Sequence, residues 1–471
     1  MIGKYLKNRD LRAVAILLAL NVVVYLNIFS SFLYADDFPQ YWGQRFGSVP
    51  EMFGKAMAAS LAYLFRPVHY LFLSVYSQLF YISIPLCYFV IFLAHFLAAV
   101  SVYYFFLRIK KDGLFALFGA MLFITFMGSF EVVGWTVAVY YPLVIIFMLN
   151  SINAFNRGRG GLSFLLYLLA LLTHEVAIFM LPLLVAYEVI IKGKTLKVET
   201  LKTYIAPFIV TVAYLTFYLT RRHYLPVAGM ETQYVIGWHF IKNWLYYIST
   251  AFVPVVTEYR KGAVLGTSLI FIIKMLKVGV LLVLPFAITY SVRNRIKVLN
   301  FFFLWVILTV TPFVFFITSP VSRYLYVASI GVVAIYSFLG ISLLENKRFK
   351  VVGVILLCGL ILSNLGGMIV AQRILWHKKE LRKNILTSVL DMRGQIKEGD
   401  KIIFIDLPIL ETEIRGMIYL YKKSDKYDIR AINHDNASGK ESDRRTIEGA
   451  KRNADHVFKY DFSMRKLIYL K

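Results

Sequence analysis

Residues 11–37 read LRAVAILLALNVVVYLNIFSSFLYADD, an apolar run that ends in two adjacent acids. A helix needs about 20 mostly apolar residues to cross the hydrocarbon core of a bilayer, and this run is long enough. It is too long for a removable signal peptide and lacks the small-residue cleavage pattern. The run therefore predicts a permanent membrane anchor, with Asp36 and Asp37 just beyond it at the membrane surface.

The rest of the chain has the composition of a polytopic membrane protein. Of its 471 residues, 59% are hydrophobic and 17% are charged, and the mean hydropathy is +0.65. These values exclude an ordinary soluble domain. Apolar runs of spanning character predict eleven membrane helices, near residues 11–33, 84–107, 113–129, 133–152, 161–173, 175–191, 201–220, 265–290, 298–317, 325–343 and 350–370.

The net charge of +25 is explained by membrane topology. Basic residues accumulate on the cytoplasmic side of membrane proteins. With the N-terminus in the cytoplasm, the inner loops and the adjoining span ends carry 19 Lys and Arg, against 9 in the much longer outer loops. So apolar a chain leaves too little polar surface for a nucleic-acid groove. We predict an integral plasma or inner membrane protein with a cytoplasmic N-terminus and no nucleic-acid partner.

The first outer loop is predicted to contain interfacial helices. Residues 46–81 are apolar but interrupted by charged residues, a pattern that suits helices lying in the membrane surface. Arg66 and Pro67 should begin the second of these helices, since proline is favoured in a first helical turn. His69 lies in the same predicted helical turn, directly after Val68. For Arg66, a snorkelling side chain is the alternative to a functional role.

Several further ionisable residues are predicted at the same outer membrane face. A carboxylate close to hydrocarbon is costly and should have a partner, although helix capping or a salt bridge would also explain it. Cations on this face run against the positive-inside rule, and snorkelling into an aromatic belt is their simplest alternative. The residues concerned are Glu131, His174, Glu175, Arg221, Arg222, Arg323 and Tyr324.

From Gln372 onward the chain becomes rich in charge, and we predict a small extracytoplasmic α/β domain over 372–471, after a membrane domain over 1–371. A run with helical spacing covers residues 376–393. Short apolar runs at 401–406, 427–432 and 466–470 predict strands, whereas 434–445 has the composition of a polar loop. The two cysteines, Cys87 and Cys358, lie in apolar runs and indicate neither a disulfide framework nor a metal site.

The order of these residues resembles the GT-C glycosyltransferases that use polyprenyl-phosphate sugars. The resemblance is strongest to the protein O-mannosyltransferase-like branch, which includes transmembrane enzymes acting on cadherins. It rests on five short motifs within residues 1–370: Asp36-Asp37, Arg66-Pro67-Val68, Glu131-Val-Val-Gly-Trp135, His174-Glu175 and Arg323-Tyr-Leu-Tyr326. Valine replaces the usual leucine at 68, histidine replaces lysine at 174, and no tetratricopeptide array follows the membrane domain. A protein acceptor is therefore not implied.

The resemblance implies an all-α GT-C-like fold and an inverting transfer of a monosaccharide to an acceptor hydroxyl on a glycan, lipid or protein. By resemblance Asp36 is favoured as the base, but spacing alone cannot separate it from Asp37. Glu131 would orient the acceptor or, with Asp37, hold a divalent Mg²⁺ or Mn²⁺, a cofactor that the sequence leaves open. Phosphate binding is assigned to Arg66, Arg221, Arg222 and Arg323. Substrate contacts are assigned to His69, His174, Glu175 and Tyr324.

Two other classes of protein remain as alternatives. A transporter or lipid flippase would also have many spans and charged residues, but such proteins tend to show internal repeats and ionisable groups near the midplane. In this sequence, Lys274 and Lys277 within the eighth predicted span are the exception, because they could be ionisable groups near the midplane. An O-antigen-type polymerase or ligase would act on a lipid-linked diphosphate sugar at the same face.

Overall fold

The fold is described from a computed structural model of the chain. The structure describes residues 2–62, 64–195, 202–224, 237–253, 267–316, 321–391, 396–432, 440–464 and 466–471. Helices make up most of these residues, and a small four-stranded sheet lies near the C-terminus. The predicted fold class, an all-α polytopic membrane protein with a small C-terminal α/β domain, is confirmed.

The predicted spans coincide with helices. Among the described residues, five helices are long and apolar enough to cross a membrane: Arg9–Ser30, Ile84–Lys110, Thr136–Asn156, Phe271–Arg293 and Lys350–Leu390. Shorter apolar helices lie at Gly113–Thr125, Gly160–Leu171, Ile205–Tyr218, Lys297–Phe313 and Ser329–Glu345. The sixth predicted span contains the short helix Met180–Ala186. These elements make the chain an integral membrane protein.

We number the helices of the membrane part in chain order. They are α1 (Ile2–Tyr25), α2 (Asp37–Gly43), α3 (Val49–Ala62), α4 (Pro67–Ile82), α5 (Ile84–Lys110), α6 (Gly113–Thr125), α7 (Ser129–Gly134), α8 (Tyr140–Asn156), α9 (Gly160–Leu171), α10 (Met180–Ala186), α11 (Ile205–Tyr224), α12 (His239–Phe252), α13 (Thr267–Arg293), α14 (Lys297–Val310), α15 (Ser329–Glu345) and α16 (Lys350–Leu390).

The turn between α5 and α6 shows how the sequence sets a helix boundary. Lys111 adopts a left-handed conformation with φ 56°, which ends α5. The Asp112 carboxylate then accepts hydrogen bonds from the backbone N–H groups of Leu114 and Phe115, at 2.9 and 3.2 Å. An acidic N-cap of this kind satisfies donors that a helix start leaves unpaired. The two helices can therefore fold back on each other over a two-residue connection.

Small residues allow the membrane helices to pack closely. A Cβ atom added at Gly331 would lie 2.6 Å from Val306 and 2.7 Å from the Phe302 carbonyl oxygen, so α15 approaches the α14 backbone through a glycine. Glycine at helix contacts is common in membrane proteins, where close backbone approach replaces the hydrophobic effect as the driving force. Trp305 on α14 is fully buried and donates its indole N–H to the Val327 carbonyl at 2.9 Å.

The first outer loop contains helices where interfacial helices are predicted. Helix α3 has exposed apolar side chains, including Val49 and Phe53, which are 61% and 54% exposed. Helix α4 begins at Pro67, as the Arg66-Pro67 dipeptide predicts. Lys277, the unusual cation in the eighth predicted span, is buried and donates to Thr250 Oγ1 at 2.8 Å. Lys274 is exposed.

The C-terminal part contains β1 (Lys401–Ile405), α17 (Glu411–Lys422), β2 (Asp428–Ile432), α18 (Lys440–Asn453), β3 (His456–Asp461) and β4 (Lys466–Tyr469). The strand order is β2-β1-β3-β4, with β1 parallel to both neighbours and β4 antiparallel to β3.

The sequence expectations for this part need two corrections. Strand β3 was not predicted, although its buried His-Val-Phe run pairs with the central strand. The prediction of a polar loop over 434–445 is wrong from Lys440 onward, because α18 begins there; residues 433–439 lie outside the described residues. The predicted domain boundary at 371/372 falls within the continuous helix α16, and the division into two domains remains a proposal.

Helix α17 packs directly against α2 in the first outer loop. A Cβ atom at Gly416 would lie 2.6 Å from the Pro39 nitrogen and 2.9 Å from its Cα. The rings of Trp42 and Tyr419 lie 5.6 Å apart, and Phe80 and Tyr421 lie 5.2 Å apart. The C-terminal sheet and helices are therefore on the same side of the protein as Asp36 and Asp37.

The contact at Gly416 gives a first prediction. In Gly416→Ala the new methyl group meets backbone atoms of Pro39, which cannot rotate away, so we expect a loss of about 1–3 kcal/mol from overpacking. Hydrogen exchange should rise in both α2 and α17. The matched control is Gly449→Ala on α18, where a Cβ meets nothing within 4 Å. That variant should be unchanged or gain up to about 1 kcal/mol, and equal behaviour of the two variants would contradict the docking described.

Candidate functional site

A cavity of about 560 Å³ opens where α2, α4, α8 and the turns around residues 174 and 323 meet. Seven of the predicted site residues line it: Asp36, Arg66, His69, His174, Glu175, Arg323 and Tyr324. They come from four separate parts of the sequence, around residues 36, 66–69, 174–175 and 323–324. The structure brings these seven residues together around one cavity, and their roles as site residues remain a proposal.

Of the two adjacent acids, Asp36 faces the cavity. The preceding residue, Ala35, has φ 47°, a left-handed conformation that a residue other than glycine rarely adopts. Such strain is often found at functional positions. The Asp36 carboxylate is accessible to solvent and accepts no hydrogen bond from the described residues. The surrounding protein partly desolvates this carboxyl group and so raises its pKa, and the charges of Arg323 and Arg382 partly offset that effect.

Asp37 points the other way, into the protein. It is fully buried and does not line the cavity. Its carboxylate accepts hydrogen bonds from the backbone N–H of Tyr34 at 2.8 Å, from Thr136 Oγ1 at 2.7 Å and from the backbone N–H of Val137 at 3.0 Å. Burial raises its pKa to about 6, although these three hydrogen bonds lower it. This geometry ties the first outer loop to the turn that precedes α8.

A bidentate ion pair forms one side of the cavity. Arg66 donates from Nε to Glu175 Oε2 at 2.8 Å and from Nη2 to Glu175 Oε1 at 2.5 Å, and both side chains are about 10% exposed. The guanidinium also lies 4.9 Å above the Tyr140 ring. Planar forks of this type fix the geometry of an arginine. Nη1 of Arg66 is left without an acceptor among the described residues, so it can still donate to a ligand.

A second Arg–Glu pair contributes Arg323 to the cavity lining. Glu131 does not line the cavity; one of its oxygens accepts from Arg323 Nη1 and the other from the Arg323 backbone N–H at 3.1 Å. The Arg323 guanidinium lies 4.8 Å above the Trp135 ring. Because Glu131 holds Arg323 from behind, Nε and Nη2 of Arg323 remain unpaired among the residues that are described. Glu131 is therefore positioned to orient Arg323.

Two histidines in the cavity are neutral near neutral pH. Burial lowers the pKa of His174 to about 3 and that of His69 well below its usual range. His174 Nδ1 accepts the backbone N–H of Val176 at 3.1 Å, so in the neutral ring Nε2 carries the proton and can donate. His69 Nδ1 is buried and has no hydrogen-bond partner in the described part of the chain. Neither histidine is suited to act as an acid in this pH range.

Aromatic rings complete the walls. Tyr324 stacks on both Phe313 and Phe316, at ring distances of 4.4 and 5.2 Å. Tyr140 stacks on His174 at 5.0 Å. Trp135 Nε1, on a further lining residue, is a buried polar atom without a hydrogen-bond partner among the described residues. Buried polar groups normally have partners, so its position at the cavity points to a polar ligand or ordered water.

The proposed metal ligands do not fit a divalent ion. Asp37 and Glu131 both lie outside the cavity lining, and their oxygens already accept hydrogen bonds from protein donors. No group of three or more His, Cys, Asp or Glu suited to a metal occurs in the part of the chain that the structure describes. We therefore derive no step through a metal.

The sequence reasoning missed some residues of this region. Arg382 on α16 and Glu413 on α17 form a buried ion pair next to α2, and no motif marks either residue. Tyr140 and Tyr141 also line the cavity, and two adjacent tyrosines in the outer part of a predicted span could have indicated them from the sequence. Arg221 and Arg222 lie in the last turns of α11, but their side chains fall outside the described residues.

Comparison with known proteins gives matches to solved structures alone. No family model matches the chain, and no curated protein matches it. The structure is similar to that of ArnT from Cupriavidus metallidurans in the apo state, with a TM-score of 0.47 and 14% sequence identity over 94% of this chain and 92% of ArnT. It is also similar to ArnT from Cupriavidus metallidurans bound to undecaprenyl phosphate, with a TM-score of 0.45 and 13% identity over 93% and 88% of the two chains. These matches leave the O-mannosyltransferase-like branch as a prediction.

Proposed function

We propose that the protein is a membrane glycosyltransferase of GT-C type that transfers a monosaccharide from a polyprenyl-phosphate sugar to an acceptor hydroxyl. One observation carries the proposal above all: Asp36 is an accessible carboxylate in a cavity flanked by two arginines, each held by its own glutamate. The acid is thus left free for a proton transfer while the cations remain available to an anion. A cavity that merely held a structural ion pair would not need a third, unpaired acid.

The size and lining of the cavity support a sugar as the transferred group. Small-molecule cavities are typically about 300–1,000 Å³, and this one is about 560 Å³. Its aromatic walls can cover the apolar faces of a sugar ring. His69 Nδ1 and Trp135 Nε1, which have no partner among the described residues, can pair with sugar hydroxyl groups. A purely apolar ligand would leave these atoms unsatisfied, at a cost of about 1–3 kcal/mol each.

The two arginines support a phosphate in the donor. A phosphomonoester is a good leaving group because its charge can be stabilised by fixed donors rather than by a proton. Arg323 retains Nε and Nη2, and Arg66 retains Nη1, for this purpose. Arg323 is the stronger candidate, since its charge acts on Asp36 and it therefore lies near the proposed reaction centre.

The proposed reaction is a single displacement. The acceptor hydroxyl oxygen forms a bond to the anomeric carbon from the side opposite the leaving group, and the bond between that carbon and the phosphate oxygen breaks. The electron pair of that bond leaves with the polyprenyl phosphate, next to Arg323. The acceptor's proton passes to the Asp36 carboxylate, which acts as general base. The anomeric configuration is inverted. Asp37 holds the loop in place and does not take part.

The membrane orientation belongs to the same proposal. The N-terminus is placed in the cytoplasm and the C-terminal domain outside, so that the cavity opens at the extracytoplasmic face. The packing of α17 against α2 supports this, because it puts the C-terminal domain on the side of the first outer loop, as an odd number of spans requires. The lipid chain of the donor would stay in the bilayer while its sugar enters the cavity.

A donor panel tests the proposal. Purified protein in lipid nanodiscs is incubated with radiolabelled polyprenyl-phosphate monosaccharides, starting with mannose because the motif order resembles the O-mannosyltransferase-like branch. Release of polyprenyl phosphate supports the proposal. Release from diphosphate-linked oligosaccharides alone would favour a polymerase or ligase, and movement of intact donor across the bilayer without bond cleavage would favour a flippase; either result would overturn it. The matched control for a variant of the Asp36 carboxylate is Glu345→Gln, which changes an exposed carboxylate at the end of α15 that is placed in the cytoplasm.

A further inference from the structure

The C-terminal domain contributes a charge to the surroundings of Asp36. Arg382 near the end of α16 donates from Nε to Glu413 Oε2 at 2.8 Å, and Nη2 lies 2.7 Å from the same oxygen. Both residues are buried, with exposed fractions of 7% and 4%. The Arg382 guanidinium lies 4.6 Å above the ring of Tyr34, two residues before Asp36. The pair therefore sits at the junction of α16, α17 and the first outer loop.

Charged groups from each neighbouring element act on Asp36. Arg323 follows α14 and Arg382 belongs to α16, and both lower the pKa of Asp36. Glu413 on α17 interacts with Asp36 in the opposite sense, as two like charges do. Glu131 on α7 compensates Arg323, and the Tyr34 hydroxyl also faces this region. Asp37 and Lys379 on α16 are further titratable groups nearby, and they act on each other. Each arginine near Asp36 is thus matched by one glutamate.

The two glutamates that compensate these arginines belong to different parts of the chain. Glu131 lies on α7 in the membrane part, whereas Glu413 lies on α17, which packs against α2 with Gly416 close to Pro39. Arg382 lies on α16, with its guanidinium over the ring of Tyr34. If α17 moved away from both α2 and α16, Arg382 would remain beside Tyr34 without its counter-charge. The docking of the C-terminal domain and the charge balance at Asp36 are therefore coupled through one residue.

We propose that Glu413 is a positioning residue of the transfer reaction: from the C-terminal domain it compensates Arg382 and so sets how readily Asp36 takes up the acceptor's proton. This inference rests on the proposed function, in which Asp36 is the base. It gives the C-terminal domain a part in the chemistry without any contact between that domain and the substrate. A base close to an uncompensated cation would be ionised but weak, because its proton affinity falls with its pKa.

Two substitutions of opposite sign test the inference. In Glu413→Gln, Arg382 is uncompensated and the protonation midpoint of Asp36 should fall by about one pH unit; in Arg382→Gln, the remaining glutamate should raise it by about one unit. Carbodiimides react with protonated carboxyl groups, so the midpoint is read from the pH dependence of dicyclohexylcarbodiimide labelling at Asp36, located by mass spectrometry. The same signal must be missing in Asp36→Asn. This measurement needs no substrate.

Two further variants make the test independent of folding defects. The double variant Arg382→Gln/Glu413→Gln removes both charges and should return the midpoint to within about 0.3 pH units of the wild type. Glu411→Gln, two residues away on α17, removes a glutamate that pairs with Arg415 instead and should leave the midpoint unchanged. Midpoints that do not move in the single variants, or that move in the same direction in both, overturn the inference.

The transfer assay separates this inference from the proposed function. If the wild type releases polyprenyl phosphate but the two single variants keep the wild-type acid limb in their pH–rate profiles, Glu413 has no positioning role and the proposed function stands. If no donor is cleaved, the proposed function fails, and the role of Glu413 in transfer fails with it. Opposite shifts of the acid limb, matching the labelling midpoints, support both.

Discussion

Asp36→Asn is expected to reduce the transfer rate by about 10²–10⁴-fold while the protein stays folded and still binds its donor. The size of the loss is that of a general base. The fold should survive because the Asp36 carboxylate accepts no hydrogen bond from the described residues, so the amide leaves no protein donor unpaired. The measurement is kcat at saturating donor, together with a donor-binding isotherm and a thermal unfolding curve.

The neighbouring acid supplies a contrasting variant. In Asp37→Asn the side-chain oxygen can still accept from Thr136 and Val137, but the amide nitrogen then faces the backbone N–H of Tyr34. A buried donor left unpaired costs about 1–3 kcal/mol. We therefore expect a lower melting temperature and less folded protein, with a smaller change in kcat per folded molecule. If Asp37→Asn kept full stability and lost all transfer, the assignment of the two acids would be reversed.

Arg323→Met should have the second large effect, a fall of about 10²–10³-fold in kcat/KM for the donor. That is the range for removal of a fixed donor that stabilises developing charge. Methionine preserves much of the side-chain volume against Trp135 but supplies no N–H group. Arg323→Lys should recover part of the loss, since it restores the charge without the planar fork. Donor affinity is measured separately with polyprenyl phosphate as a competing product.

The Arg323 variants need two controls. Glu131→Gln keeps an acceptor for the Arg323 backbone N–H but removes the charge that holds the guanidinium. It should lower kcat/KM less than Arg323→Met does, because the phosphate ligand itself remains. Arg348→Met removes an exposed arginine just before α16 that does not line the cavity, and it should be neutral. Unchanged donor affinity in Arg323→Met would show that the phosphate binds elsewhere.

The membrane part could be predicted closely from the sequence because its signal is simple. A run of about 20 apolar residues has few alternatives to a membrane helix, since backbone groups must be paired within the segment. The C-terminal domain was predicted less well. Helix α18 is so polar that its sequence, Lys440–Asn453, resembles a loop, and the strand His456–Asp461 is recognisable mainly by its pairing with β1.

The candidate site shows the same division. The residues around 36, 66, 131, 175 and 323 could be selected because ionisable groups beside hydrocarbon are unusual. Their pairing could not be predicted, since Arg66–Glu175 and Arg323–Glu131 join residues more than 100 positions apart. Nor could sequence separate Asp36 from Asp37, because the left-handed turn at Ala35 decides which of the two faces the cavity.

The account is tested most directly by following the anomeric carbon itself. A polyprenyl-phosphate monosaccharide carrying ¹³C at that carbon is incubated with the protein and an acceptor, and the ¹³C signal is recorded by NMR. We predict that the donor signal is replaced by a glycoside signal of opposite anomeric configuration as free polyprenyl phosphate appears, and that Asp36→Asn leaves the donor signal unchanged. Retention of configuration, or conversion at the wild-type rate without the Asp36 carboxylate, would contradict the account.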